Sequence, residues 1–357
     1  MWVWITGILI TVASTCAVFN PKIVPGKPHS TMKNLLEDIL FGLAFGVFAI
    51  LAEFIFMFVH PVLCIMKAMG AQEKTYTAIL ITGAASGIGA ALAKLYAKPG
   101  VHLFLVDVNK EDMEKARFPQ FDGYDDITDM PFGRRVPCLF PCQVASECKA
   151  AEKVTVFQMS VTDKEGMAKV IDSADSEKPL DLVVANAGIT DGNTEKDLFE
   201  KQIPCAAVDF MGVFNTVVPA MKKMKERGKG QISITGSQSG YACGWPDVPA
   251  YGATKAGVLA WGRALRANLS NYGIGVTTIC PGYIMTNLLK KHEKEMPKEM
   301  FEYLQKVSLK VEPAARDIKG AIDRNDAEFS FPKSSLFQTK LIGRFWYHFV
   351  DLGPKAM

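Results

Sequence analysis

Two kinds of hydrophobic pattern divide the chain. Residues 2–19 are an almost unbroken apolar run without charge, and residues 39–59 are a second run interrupted only by Glu53. A helix rises about 1.5 Å per residue, so about 20 apolar residues cross a hydrocarbon layer of roughly 30 Å. The second run reaches that length and the first approaches it. After Gly70 the pattern changes to short apolar and β-branched runs at 77–82, 101–106, 154–159, 182–185, 231–234 and 275–279. Runs of that length, bounded by glycines and polar residues, read as buried strands. Residues 87–97 read as a helix, and helical stretches lie between the other runs. Strand–helix alternation of this kind predicts an α/β fold, a doubly wound parallel sheet with helices on both faces.

The organisation expected is a hydrophobic membrane-anchoring region over 1–70, a catalytic domain over 75–332 and a C-terminal tail over 333–357. The interval 111–153 carries Pro119, Pro131, Pro137 and Pro141 with acidic residues at 122, 125 and 126, and reads as an inserted surface loop. Met1-Trp2-Val3-Trp4 offers no basic start, so an uncleaved anchor is expected rather than a signal peptide. Lys22, Lys27 and Lys33 follow the first run, and Lys67 and Lys74 follow the second, which fits a catalytic domain facing the cytosol. Two arrangements suit the runs: a spanning helix followed by a surface-lying segment, or a hairpin within one leaflet. The competing reading makes 39–59 a buried helix of the soluble fold, with Glu53 on an ordinary helix face. Residues 336–351 mix aromatics with Lys340 and Arg344 and read as a membrane-touching or substrate-covering segment, or equally as a packing tail.

Composition narrows the picture. Of 357 residues, 49% are hydrophobic and 22% charged, and 40 Lys+Arg against 37 Asp+Glu leave a net charge of +3. That balance gives no electrostatic case for nucleic acid. The eight cysteines cluster only at Cys138, Cys142 and Cys148. Without paired CxxC ligands and a matching histidine, they read as reduced thiols, and no metal site is expected.

The chemistry-bearing residues begin at Thr82-Gly83-Ala84-Ala85-Ser86-Gly87-Ile88-Gly89, at the end of the first strand and the start of a helix. Glycines there permit a tight turn and close approach of a pyrophosphate, and the helix start offers free N–H groups and positive dipole. Asp107 ends the second strand about 20 residues on, where a carboxylate accepts both adenosine ribose hydroxyls and repels a 2′-phosphate. The nearest base is Lys110, so NAD is favoured over NADP. Tyr251 and Lys255 stand four apart, hence on one helix face. A phenol ordinarily ionises near pH ~10, and a neighbouring ammonium lowers that value. Ser237 and Ser239 follow a strand upstream, where a hydroxyl would polarise a carbonyl oxygen that the tyrosine protonates.

Taken in order, the Thr82–Gly89 loop, Ala185-Asn186-Ala187-Gly188, Ile234-Thr235-Gly236-Ser237, Tyr251–Lys255 and Pro281-Gly282-Tyr283-Ile284-Met285-Thr286 make residues 77–332 resemble a single-domain short-chain dehydrogenase/reductase. The resemblance implies a Rossmann-like fold and hydride transfer between a nicotinamide and an alcohol or ketone. It implies Tyr251 as acid/base, Lys255 on the nicotinamide ribose and lowering the tyrosine's pKa, and Ser237 orienting the substrate oxygen. It puts Gly83, Ser86, Gly87, Ile88, Gly89, Asp107, Asn186, Ala187, Gly188, Pro281, Gly282, Ile284 and Thr286 along the cofactor. Four positions depart from the pattern. Ser160, with Asp163 nearby, stands where the family has an acidic residue after the third strand. Ala185 stands where the family has a first asparagine. Gln238 occupies the usual serine spacing before the tyrosine, with Ser237 one residue further and Ser239 a lesser candidate. Asp209 replaces the helix asparagine that supports the proton path, and its charge must be satisfied if it is buried.

Residues 287–307 mix Leu288, Leu289, Met296, Met300, Phe301 and Leu304 with Lys290, Lys291 and Lys294. In the family this stretch covers the substrate, and here it suits an apolar ligand, although an amphipathic helix packed on its own domain reads the same. Membrane-anchored relatives imply a steroid, retinoid, sphingoid or long-chain alcohol or ketone, an endoplasmic reticulum or lipid-droplet membrane, and a homodimer. The alternative expectation is a cofactor-binding membrane scaffold or sensor with weak or no catalysis, which the departures at Ala185 and Asp209 motivate.

Overall fold

The computed structural model of the chain describes residues 74–108, 141–190, 200–241, 248–290, 293, 298–337 and 339–340. The chain divides into a unit Met1–Gln72 and a unit Glu73–Met357, and all described residues belong to the second. The two apolar runs at 2–19 and 39–59 lie outside the described residues, as do 111–140 of the insertion and 341–357 of the tail.

The elements run β1 (Ala78–Thr82), α1 (Gly87–Tyr96), β2 (His102–Asp107), α2 (Pro141–Glu147), β3 (Lys153–Gln158), α3 (Lys164–Glu177), β4 (Leu182–Ala185), α4 (Gln202–Ala206), a π turn (Ala207–Met211), α5 (Gly212–Arg227), β5 (Gly230–Thr235), α6 (Pro249–Leu269), β6 (Ile274–Pro281), α7 (Asn287–Lys290), α8 (Lys298–Val307), α9 (Val311–Asp323) and β7 (Glu328–Phe331). The seven strands among the described residues are all parallel, in the order β3-β2-β1-β4-β5-β6-β7. This is the expected Rossmann-like sheet.

Side chains alternate across a strand, and the alternation sorts the core into two layers. Ile79, Ile81, Leu103 and Leu105 pack on one face against Leu92 and Ala93 of α1 and Ile318 and Ile322 of α9. Ala78, Leu80, Phe104 and Val106 pack on the other against Met167 and Ile171 of α3, Val213 and Val217 of α5 and Val258 of α6. With both faces covered, strands β1, β4 and β6 are buried at every position. The winding reverses between β1 and β4, the place in an open α/β sheet where ligands bind in the crevice beyond the carboxyl ends of the strands.

Three expectations change. The insertion does not remain a surface loop to its end: α2 closes it, and Val144 and Cys148 are buried in the core. Burial also raises the Cys148 thiol pKa, as befits a packing residue. β7 has no counterpart in the predicted strands. Its Glu-Phe-Ser-Phe run is four residues long at the sheet edge, too short for a period-2 signal. Asp163, noted as an acidic neighbour of Ser160, is the N-cap of α3 and accepts from Gly166 N–H at 2.8 Å. Among the described residues one helical stretch, Gln202–Arg227, is long and apolar enough to cross a membrane. Its Cys205, Val213, Val217, Ala220 and Met224 are buried within this unit, as in a core helix.

Candidate active site

The loop after β1 is shaped by its glycines. Gly83 has φ +66° and Gly87 φ +55°, a region that side chains disfavour. A Cβ at Gly83 would stand 2.8 Å from Ala187 Cα, and one at Gly89 would overlap the Gly83 carbonyl. Thr82 and Asn186 tie this loop to the end of β4. The Asn186 and Ala187 N–H groups donate to Thr82 Oγ1 at 3.0 and 3.2 Å. Asn186 Nδ2 donates to the Thr82 carbonyl at 3.2 Å, and its Oδ1 accepts from Thr235 at 3.3 Å. Asn186 thus braces three strand ends. Thr82 and Thr235 stand within the quoted motifs, but the sequence did not show them to be partners of Asn186. Ala185, in the first asparagine's place, is a buried strand residue.

The first turn of α1 fits the pyrophosphate of a dinucleotide. The first N–H groups of a helix have no partner within it, and Ser86 at the N-cap is exposed and makes no side-chain cap bond. Ile88 packs its side chain against the core, leaving only its backbone to a ligand. Asp107 stands at the end of β2 beside the loop, where its Oδ2 accepts from Ala85 N–H at 2.7 Å and its Oδ1 from Val108 N–H at 2.8 Å. Each carboxylate oxygen has a second lone pair, so ribose hydroxyls still find acceptors. Burial raises the Asp107 pKa, against these two backbone bonds, which lower it.

On the far side of the crevice, α6 presents Tyr251 and Lys255 on one face. Pro249 in its first turn suits a helix start. Lys255 is buried, its Nζ 5.4 Å from the centre of the Tyr251 ring. Ser237, at the end of β5, hydrogen-bonds the Tyr251 phenol. Gln238 faces elsewhere: its Nε2 donates to the Pro332 carbonyl at 2.9 Å and its Oε1 accepts from Ser335 at 2.6 Å. Spacing alone left the two positions open. A short 3-10 turn at Gln238–Tyr241 rotates Gln238 away and leaves Ser237 at the tyrosine. Ser239 is held in the same turn, its N–H donating to Ser237 Oγ at 3.1 Å.

Asp209 completes the cluster. The π turn breaks the regular 3.6-residue period between α4 and α5, a feature frequent at functional sites, and aims Asp209 inward at 0% exposure. Its charge is satisfied: Oδ2 lies 2.9 Å from Lys255 Nζ and Oδ1 accepts from Ile189 N–H at 2.7 Å. Gly188 makes room, since a Cβ there would stand 3.2 Å from Asp209 Oδ2. Lys255 also donates to the Thr235 carbonyl at 3.2 Å, leaving one of its three donors for a ribose hydroxyl. Burial opposes the ammonium, but Asp209 and Tyr251 outweigh it and hold the Lys255 pKa above its ordinary value. For Tyr251 burial raises the pKa, Lys255 pulls it down, Asp209 pushes it up and Ser237 pulls it down, and the net direction is upward. The lowering expected from Lys255 is present but is outweighed by burial and Asp209.

The chain leaving β6 closes the crevice. Pro281 is buried and Gly282 N–H donates to the Phe331 carbonyl at 2.8 Å. Ile284 is buried and bridges to Leu309. Thr286 reaches back to the glycine loop, its Cγ2 within 3.3 Å of a Cβ placed on Gly87. Gly87 therefore lets the two cofactor-facing loops approach. The arrangement offers a helix start able to accept an anion, a carboxylate with lone pairs left to accept ribose hydroxyls, and a phenol with serine and lysine partners able to move a proton to or from a carbonyl oxygen.

Residues 77–118 and 141–297, more than half of the chain, match the short chain dehydrogenase family. The gap in that match falls within the insertion. An uncharacterized oxidoreductase of Myxococcus xanthus is 29% identical over 273 residues, covering 75% of this chain and 92% of its own. The oxidoreductase UcpA of Salmonella typhimurium is 28% identical over 209 residues, covering 58% and 69%. The crystal structure of levodione reductase superposes with a TM-score of 0.58 at 21% identity, over 73% of this chain and 97% of that one, a likeness of fold. The chain belongs to the short chain dehydrogenase family and is an oxidoreductase of that family, whose members bind NAD(P).

Proposed function

We propose that this chain transfers hydride between NAD(H) and the hydroxyl or carbonyl group of a lipophilic substrate at a membrane, with Tyr251 as the proton-transferring residue. The observation that carries this reading is the Ser237–Tyr251–Lys255 cluster, in which the phenol is hydrogen-bonded by Ser237 and faced by the Lys255 ammonium. When bound, the dinucleotide supplies or accepts the hydride. The protein's part is to hold it between the α1 start, Asp107 and Lys255, and to move the proton at Tyr251 Oη. Asp107 at the ribose position supports NAD over NADP. An apolar substrate is supported by α8, where Phe301 and Leu304 are buried while Tyr303 and Val307 are exposed, and by Tyr283 standing exposed before it. The apolar runs at 2–19 and 39–59 support an anchor in the endoplasmic reticulum or a lipid droplet, with the enzyme unit in the cytosol. Exposed Ile203 and Met211 on the α4–α5 stretch support a homodimer.

The test is a cofactor-by-substrate panel on detergent-solubilised full-length protein, with NAD, NADH, NADP and NADPH against sterol, retinoid, sphingoid and long-chain alcohols and ketones. Turnover of lipophilic compounds with NAD(H) is expected. Turnover of small soluble carbonyls alone defeats the substrate class, and a preference for NADP(H) defeats the cofactor choice. A non-catalytic scaffold predicts a cellular phenotype that survives Tyr251→Phe.

A further inference from the structure

The ion pair behind Tyr251 has a consequence for the direction of the reaction. An ammonium stabilises a neighbouring phenolate because its charge is uncompensated. Here the Asp209 carboxylate lies 2.9 Å from Lys255 Nζ, with 4% of the lysine side chain and none of the aspartate exposed to solvent. Water does not screen the two charges from the rest of the site. At the Tyr251 ring, 5.4 Å from the ammonium, they act as a dipole rather than as a free cation. The pair is built in: Ile189 N–H fixes Asp209 Oδ1, the Thr235 carbonyl fixes the ammonium, and Gly188 leaves the space.

We propose that Asp209 is a positioning residue which, acting through Lys255, keeps Tyr251 in its phenol form and so commits this site to carbonyl reduction near neutral pH. The inference rests on the redox reading above and adds the direction. In reduction the substrate carbon gains the hydride, its oxygen gains the proton from Tyr251 Oη, the dinucleotide is left oxidised, and water restores the phenol. Alcohol oxidation needs the phenolate as base, which this arrangement populates only in alkaline solution. The groups that face Tyr251 agree with that direction. Burial most of all, then Asp209 of the π turn and Cys205 of α4, oppose the phenolate, while Lys255 on the tyrosine's own helix and Ser237 after β5 favour it. Cys280 of β6 lies within reach of Lys255 and is a neutral thiol, its pKa pushed up to about 12 by burial.

The direct readout is phenolate absorbance near the ultraviolet edge during an alkaline titration of the protein without cofactor. The chain has nine tyrosines, so Tyr251→Phe is subtracted to isolate one. The wild-type step is expected above the ordinary phenol value of 10.0. In Asp209→Asn, an isosteric change, the step should fall by about one pH unit or more. Alcohol oxidation at pH 7 should then rise about tenfold with the phenolate population. Coincident steps in wild type and Asp209→Asn overturn the inference. So does a wild-type step below 10.0, which decides the matter even if the variant does not fold. Either result, with turnover still dependent on Tyr251, leaves the redox reading intact. Turnover indifferent to Tyr251 defeats that reading separately.

Discussion

At the residue scale, Asp107 carries a prediction in acid. Its pKa lies above the ordinary carboxylate value because burial outweighs its two backbone bonds. A proton therefore binds the folded protein more tightly than the unfolded chain. The sign follows: ionised Asp107 costs stability above its folded pKa, and that cost disappears as pH falls through it. The same protonation removes an acceptor for ribose hydroxyls. NAD affinity should weaken on acidification at a pH above that of an ordinary aspartate, and Asp107→Asn should bind weakly with a flat profile over the same range. Cofactor titrations by calorimetry at a series of pH values check this, and a wild-type affinity as flat as the variant's would contradict it. Positions in the fold were legible in the sequence: Tyr251 and Lys255 lie on one helix, Asp107 ends β2 and the glycine loop joins β1 to α1. Their balance of charges was not. The ion pair between Lys255 and Asp209 joins residues far apart in the chain, and the reversal of the expected pKa shift at Tyr251 follows first from burial and then from Asp209.

At the scale of elements, the site depends on how β1, β4 and β5 end. Asn186 bonds to the Thr82 carbonyl of β1 and accepts from Thr235 of β5, so it holds the glycine loop against its neighbours. Asn186→Ala would leave partly buried groups unpaired. It should lower unfolding free energy by about 1–3 kcal/mol and weaken cofactor binding together with it, as read by urea denaturation with and without NAD. Unchanged stability would show that the bracing is unnecessary. Six strands were legible because continuous apolar runs mark strands buried on both faces. β7 was not, since an edge strand of four residues has too little pattern. α2 was hidden because prolines and acidic residues dominate the segment before it, and its core contacts through Val144 and Cys148 arise only when β2 and β3 are side by side. The choice of Ser237 over Gln238 likewise needed the 3-10 turn, which spacing does not encode.

For the whole molecule, the chain divides into a unit Met1–Gln72 and a unit Glu73–Met357 that holds the described fold. If the proposed anchor lies in residues 1–72, expression without them should move the chain from the membrane to the soluble fraction while leaving its circular dichroism that of an α/β protein. A truncated chain that still sediments with membranes would place the anchor elsewhere. That Tyr251 moves the proton in a hydride-transfer reaction is tested most directly by single-turnover reduction of an accepted ketone by the NADH-loaded enzyme, wild type against Tyr251→Phe. A loss of about 10²–10⁴-fold in the chemical step, with NADH affinity and thermal unfolding unchanged, is the predicted result. Reduction by Tyr251→Phe at the wild-type rate would contradict the claim.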